Sequence, residues 1–405
     1  MRTRTIAVLK FGGTSLAKKE TRAIARRRVV EALQDGDVVA VVSAMGRSPE
    51  PYATDSLLAL AGGATHTRNA DLLLAGGEII SAAVFAQELD DEGTPAVALT
   101  GAQAGILTDE RFGDARVRRV DPRSLHDLLD REIVPVVAGF QGASESGAIT
   151  TLGRGGTDLS AIAIGEALGA ERIDIYTDVP GVMTGDPKRV TSARTVERAT
   201  LEEVSELAQH GAKVMHYKAA EHARRSGTRY RIAALHSDRG TIVDETVDHH
   251  RPVTGVALSE KLTWVRVIRG DIEEPTRRME TELEMFRRIA QAGISIDQVT
   301  INQAGAAFVV TGDRGDEVRR LLGDLNLAVR VREGCAKLSV VGNGMREAPG
   351  VIYELTAALA DANVEIIHCT DSNVTISVLL PEQDGVRAEE AVHRRFKLDA
   401  GDPVV

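Results

Sequence analysis

The sequence predicts a large α/β unit with a mainly parallel central sheet, followed by a duplicated β-α-β-β-α-β region. Three observations carry this. Short apolar runs alternate with longer stretches that read as helices across residues 5–245. Several of those runs are apolar at nearly every position, as strands must be when helices cover both sheet faces. After residue 250 the pattern repeats: Ile294 aligns with Val364 and Leu283 with Tyr353, 70 residues apart in each case.

In chain order, strands are predicted at Ile6–Leu9, Val38–Val42, Ala96–Leu99, Ile133–Ala138, Arg172–Tyr176 and Tyr230–Ala234. Helices are predicted near 18–34, 66–91, 122–131, 158–169, 200–210 and 216–226. Asp121-Pro122 resembles a cap followed by an N1 proline, and Thr200-x-x-Glu203 fits a capping box. Gly36 and Gly169 are placed to close the helices before them. Residues 245–252 are polar, include paired histidines and end in Pro252, which marks a linker. The first repeat holds a strand at Thr263–Ile268, a helix with Met279, Leu283 and Phe286 on one face, and a strand at Ala307–Val310. The second holds Lys337–Val341, a helix with Val351, Leu355 and Leu359, and Val374–Leu379. Domains are therefore expected at 1–245, 246–332 and 333–405. Open sheet edges in the repeats invite pairing of the copies or of subunits.

At 405 residues the chain is too long for one ordinary core. A formal charge of -10 argues against a general nucleic-acid binder, and no apolar run approaches the 18 residues of a membrane span. No signal-peptide hydrophobic block precedes Lys10, which predicts a cytoplasmic protein. Cys335 and Cys369 are far apart and lack metal-site neighbours, so two buried thiols are expected and no metal site is assigned.

Two glycine loops concentrate chemistry. Lys10-Phe11-Gly12-Gly13-Thr14-Ser15 follows the first strand and precedes a helix, so free N–H groups, a helix dipole and a mobile cation converge on one point. Its spacing is neither that of a Walker A loop nor that of a dinucleotide loop. Leu152-Gly153-Arg154-Gly155-Gly156-Thr157-Asp158 offers a guanidinium fork beside glycines, with Thr157 or Asp158 able to cap the next helix. Ser43, Thr54-Asp55 and Thr177-Asp178 follow or lie near strands, where the loops of an open parallel sheet converge, and Gly76-Gly77-Glu78 interrupts a helical region and supplies a carboxylate. Lys213 adds another candidate phosphate lysine. Cations for phosphate, plus an Arg and a Glu for a small zwitterion, suit phosphoryl transfer to an acceptor that needs no strong base. The residues alone reach a kinase of a small acidic metabolite and do not choose the metabolite.

The chain closely resembles the aspartate kinase family of the amino-acid kinase superfamily. The marks are KFGGTS at 10–15, VVSAMG at 41–46, TD at 54–55, GGE at 76–78 and TGAQAGILTD at 100–109. They continue with GFQG at 139–142, GRGGTDLSA at 153–161, YTDVPGVMTGDP at 176–187 and GAKVMH at 211–216. VTGVA at 253–257 and DSNVTISVL at 371–379 mark the repeats as similar to that family's two ferredoxin-like ACT domains. The resemblance implies a three-layer sandwich and the conversion of ATP and L-aspartate to β-aspartyl phosphate, which opens lysine, threonine, methionine and diaminopimelate synthesis. It implies that Lys10 and Asp158 are catalytic and that Gly12 and Gly13 line the phosphate path. Ser43, Thr54, Glu78, Arg154 and Thr157 would bind aspartate, while Thr177, Asp178, Asp186 and Lys213 would lie on the nucleotide side. Mg²⁺ is implied through ATP, an amino-acid effector (lysine, threonine or diaminopimelate) at an ACT interface, and a homo-oligomer through the ACT domains.

Three positions depart from the family pattern. Thr157 stands where serine is frequent, Tyr217 where proline is common, and Asp271-Ile272-Glu273-Glu274-Pro275-Thr276 replaces a Pro-Gly loop that the second repeat keeps as Pro349-Gly350. Sequence leaves open another carboxylate or carbamate kinase of the superfamily, and a non-catalytic amino-acid-binding regulatory protein.

Overall fold

The computed structural model describes residues 5–63, 65–247, 251–269, 275–312, 314–325, 327–346 and 348–400. His249-His250 of the linker and Asp271-Ile272-Glu273-Glu274 of the departing loop lie outside the described residues. The chain forms two compact units, the first comprising Met1–Met183, Thr195–Gln209 and Lys213–Val247. The second comprises Thr184–Arg194, His210–Ala212 and Asp248–Val405.

The first unit opens with β1 (Thr5–Phe11), α1 (Gly13–Leu16), α2 (Lys19–Ala32), β2 (Gly36–Val42), α3 (Thr54–Leu60) and α4 (Arg68–Asp91). It continues through β3 (Ala96–Leu99), β4 (Ile106–Thr108), β5 (Val117–Val120), α5 (Arg123–Leu129) and β6 (Val134–Ala138). Next come β7 (Gln141–Ser144), β8 (Ile149–Thr151), α6 (Gly156–Leu168), β9 (Arg172–Thr177) and β10 (Arg198–Thr200). The unit closes with α7 (Leu201–Gln209), α8 (Tyr217–Ser226), β11 (Tyr230–Ala234) and β12 (Gly240–Asp244).

The main sheet runs β10-β12-β11-β9-β1-β2-β6-β3, parallel throughout except where β11 meets β12. Alternation along β1 sends Ala7, Leu9 and Phe11 into one core with α2 and α4, through Ala25, Val29, Phe85 and Leu89. Val8 and Lys10 consequently face the opposite layer, where the Gly165 backbone of α6 lets the helix lie close to Ile173 and Val8. Phe11 stacks on Tyr176 with ring centroids 5.3 Å apart, tying the ends of β1 and β9 together. A second sheet, β5-β4-β7-β8, comes from short runs that the sequence analysis did not assign to strands.

Several local expectations need correcting. The helix after the first glycine loop is the single turn α1, so no long helix dipole points at that loop. Gly36 does not end α2, which closes at Leu33; it starts β2, where a Cβ would meet the Thr5 carbonyl oxygen at 2.1 Å. Pro122 is itself the N-cap of α5, and Asp121 accepts from the Arg123 N–H at 3.3 Å. α4 runs unbroken through Gly76-Gly77, and Gly77 serves close contact instead: a Cβ there would lie 2.8 Å from the Tyr52 carbonyl oxygen. α4 is also long and apolar enough to cross a membrane, yet half of that window is buried inside the unit, and Asp71 and Glu78 are among the helix's buried residues.

The second unit contains one sheet, ordered β14-β15-β13-β16-β18-β17. Its elements are β13 (Gly255–Arg269), α9 (Pro275–Gln291), β14 (Ile296–Asn302), β15 (Gly305–Thr311) and α10 (Gly315–Leu321). They continue as β16 (Leu327–Val341), α11 (Val351–Asp361), β17 (His368–Asp371), β18 (Thr375–Pro381) and α12 (Gly385–Arg395). The repeats are not consecutive beads, because β13 and β16 each serve both. Gly255–Ser259 pairs with Lys337–Val341, while Leu262–Arg269 pairs with Leu327–Cys335 across register shifts near Ser259–Trp264. Two cores result, one around Leu338, Leu355 and Val392, the other around Val265, Met285 and Phe308. On α9 the buried stripe is Met285 and Ile289; Met279 and Leu283 are exposed, as is Tyr353, the repeat partner of Leu283. Cys335 is buried as expected, whereas Cys369 is exposed.

The segments Thr184–Arg194 and His210–Ala212 belong to this unit through specific bonds. Val256 N–H donates to the Thr184 carbonyl at 2.9 Å, and Thr184 Oγ1 lies 2.9 Å from Nε2 of buried His393. Ser259 Oγ donates to the His210 carbonyl at 2.7 Å.

The expected Thr200–Glu203 capping box is present at the start of α7. Glu203 N–H donates to Thr200 Oγ1 at 3.0 Å and Thr200 N–H to Glu203 Oε2 at 2.8 Å. Thr200→Ala should destabilise the protein by about 1 kcal/mol, the usual cost of losing an N-cap side chain. Thermal unfolding checks it; an unchanged Tm would show that the box contributes nothing.

Candidate active site

A cleft of about 750 Å³ in the first unit lies at the C-terminal ends of β1, β2 and β9 and the N-terminus of α6. Lys10 reaches it because β1 alternation turns the side chain toward α6, where Asp158 occupies the first helical turn. Lys10 Nζ lies 2.6 Å from Asp158 Oδ1, with both side chains largely buried. The helix dipole that faces this cleft is therefore that of the 13-residue α6. Its N-cap is Gly155, in the left-handed region at φ 71°, and neither Thr157 nor Asp158 caps it. A side chain at Gly155 is excluded, since its Cβ would fall 2.0 Å from His216 Cβ. Gly13 is equally constrained, because Ala44 and Gly46 carbonyl oxygens would lie 2.7 and 2.8 Å from a Cβ there.

Lys10, Gly12 and Gly13 line the cleft together with Ser43, Thr54 and Glu78. Arg154, Thr157, Asp158, Thr177 and Asp178 line it from α6 and β9. The Glu78 carboxylate is almost wholly buried; Oε1 accepts from the Ala44 N–H at 3.0 Å, and Oε2 has no hydrogen-bond partner. Burial pushes its pKa up to about 8, opposed only by backbone hydrogen bonds. Arg154 is exposed and its guanidinium makes no hydrogen bond or ion pair among the described residues, so its fork is free. Asp178 pairs with Arg47 at 2.8 Å.

Asp186 lies in the second unit, its N–H 3.4 Å from Glu389 and its Oδ1 accepting from Lys188 N–H at 3.0 Å. Lys213 is exposed and does not line the cleft.

The cleft also contains residues that sequence reasoning passed over. Asp71, fully buried, accepts from Gly113 N–H at 2.9 Å, Thr151 N–H at 2.7 Å and Thr151 Oγ1 at 2.9 Å, fixing the loop beside Gly153. Lys218 pairs with Asp114 on that loop, and burial lowers its pKa. His216 caps α8 through Nδ1, which accepts from Lys218 N–H at 3.3 Å; burial holds its pKa down, against the pull of Asp158. The GAKVMH run ends on His216 and was read for its lysine alone. Asp71 and Asp114 carry no local sequence signal.

A parallel sheet whose strand ends gather a lysine–aspartate pair, close-packed glycines and a buried carboxylate defines a kinase of the amino acid kinase type. The amino acid kinase family matches residues 5–234, and an ACT domain matches residues 338–396. Aspartokinase 1 of Bacillus subtilis (strain 168) is 41% identical over 410 residues, spanning 97% of this chain and 99% of that protein. The crystal structure of E. coli aspartokinase III with aspartate and ADP (R-state) is similar, with a TM-score of 0.78 at 26% identity. The match covers 97% of this chain and 100% of that one. The same enzyme with lysine and aspartate (T-state) matches with a TM-score of 0.70 at 26% identity, covering 96% and 99% of the two chains. The chain belongs to the aspartokinase family.

The folded protein keeps the Glu78 proton through a range where the unfolded chain has released it. Stability contributed through this group therefore falls as pH rises from the ordinary carboxylate range toward 8. Glu78→Gln should remove that part of the slope. Urea unfolding of both proteins between pH 5 and 8.5 isolates it; parallel curves would disprove the raised pKa.

Proposed function

We propose that this chain transfers the γ-phosphoryl group of ATP to the side-chain carboxylate of L-aspartate, giving 4-phospho-L-aspartate. One observation carries the reading. A single cleft holds a buried lysine–aspartate pair for phosphate, a free guanidinium for a carboxylate and a buried glutamate with one unpartnered oxygen for an ammonium group. In the transfer, an aspartate carboxylate oxygen forms the new bond to the γ-phosphorus as the bond to the bridging oxygen of ADP breaks. Lys10 stabilises charge on the moving group, Gly12 and Gly13 let backbone approach it, and Asp158 holds Lys10 in place. Arg154 takes the α-carboxylate and Glu78 the ammonium group, with Ser43, Thr54 and Thr157 fixing the acceptor. Thr177 and Asp178 lie toward the nucleotide. Asp186 and Lys213 are assigned to the nucleotide side on the family resemblance alone. Mg²⁺ would enter with the ATP phosphates and neutralise part of their charge.

The regulatory part of the proposal assigns a second ACT-like domain to residues 246–332, beside the one at 333–405 and a catalytic domain at 1–245. The two cores and the shared strands β13 and β16 support it. A lysine-, threonine- or diaminopimelate-type effector would act there by shifting populations of active and inactive states. The repeat-related exposed side chains Leu283 and Tyr353 support a homo-oligomer formed through these domains. We place the enzyme in the cytoplasm.

A coupled assay with aspartate, acetylglutamate and glutamate, run with each effector alone and in combination, tests the assignment; preference for a non-aspartate acceptor overturns it. Lys10→Ala should lower kcat by about two to three orders of magnitude while aspartate still binds. Turnover near wild type would remove Lys10 from the chemistry. Arg154→Ala should raise the KM for aspartate about tenfold or more, the cost of a lost charge-assisted fork. An unchanged saturation curve would place the α-carboxylate elsewhere.

A further inference from the structure

The second unit contains a cavity of about 760 Å³ that aspartate phosphorylation does not use. Its volume falls in the range of small-molecule sites. Arg194, Arg251, Arg394, Arg395 and Lys397 line it, against the two carboxylates Glu354 and Asp361. The described lining thus has a surplus of three positive charges, in a chain whose formal charge is -10.

Both carboxylates are engaged by one cation. Arg395 pairs with Glu354 and lies 3.7 Å from Asp361. Arg194 uses Nε on the Leu398 carbonyl at 3.0 Å, and its terminal N–H groups have no partner among the described residues. Neither Arg394 nor Lys397 makes a side-chain hydrogen bond or an ion pair there. Scattered surface cations would be solvated and unremarked, but these stand around one concavity. α11 opens on the same cavity with Gly350 as its N-cap, which supplies no side-chain acceptor to the first-turn N–H groups. The rest of the wall is apolar, including Val253, Val351, Ala358 and Phe396.

We propose that this cavity binds a small organic phosphate. Its charged group would sit among Arg194, Arg394, Lys397 and the start of α11, and its apolar body against Phe396 and Val351. Guanidinium forks and helix N-termini suit the several oxygens of a phosphate, whose second charge rewards the cation surplus. This chemistry differs from that of a zwitterionic amino acid, and the cavity shares no lining residue with the Lys10 cleft.

The test uses the full chain with aspartate present and ADP withheld, since ADP is itself an organic phosphate, titrated calorimetrically with phenyl phosphate or inorganic phosphate. Expected is saturable binding of phenyl phosphate that weakens with salt, exceeds that of inorganic phosphate, and falls about tenfold or more in an R394E/K397E variant. Aspartate kinase turnover of that variant should match wild type, since both residues are exposed and away from the cleft. Absence of saturable binding, or equal affinity in wild type and variant, overturns the site. Equal affinity for the two phosphates overturns the organic class of ligand.

Discussion

The first unit depends on one ion pair. Lys10 sits at the end of a central strand and Asp158 in the first turn of the helix on the opposite layer, 2.6 Å apart and largely out of water. A buried cation left alone is costly, and loss of one partner from such a pair typically costs about 3–5 kcal/mol. The pair therefore ties β1 to α6 while holding a positive charge ready at the mouth of the cleft. Phe11 secures the same strand from the other face by stacking on Tyr176. The lysine's strand is thereby held from both sides.

Glu78 illustrates the opposite economy. It is buried without a cation, so desolvation raises its pKa instead of a partner lowering it. A site that accommodates an ammonium group must either supply a charge at binding or carry that cost permanently. Here the close approach of Ala44 and Gly77, which small residues alone permit, keeps the carboxyl dry. The cleft thus combines one ion pair with one buried carboxyl that keeps its proton.

The second unit is held together differently. Shared strands β13 and β16 make its two cores parts of one sheet, so neither half is a free-standing piece. Thr184–Arg194, which interrupts the sequence of the first unit between β9 and β10, is bound here through Val256 and His393. Arg194, the last residue of that segment, also lines the basic cavity.

Sequence alone determined the strand–helix alternation, both glycine loops and the duplication, because each is a local pattern with a fixed period or spacing. It located Lys10, Glu78, Arg154 and Asp158, whose residue types announce their chemistry. It misjudged Gly36, the N-cap of α5 and the buried face of α9, where a one-residue shift or the neighbouring layer decides the outcome. The short strands β4, β5, β7 and β8 were illegible because three or four residues carry too little periodicity. Only the tertiary structure decided that Asp71 and Lys218 join the cleft and that Lys213 does not line it. Those placements come from segments brought together across long stretches of chain, and proximity of that kind leaves no trace in local composition.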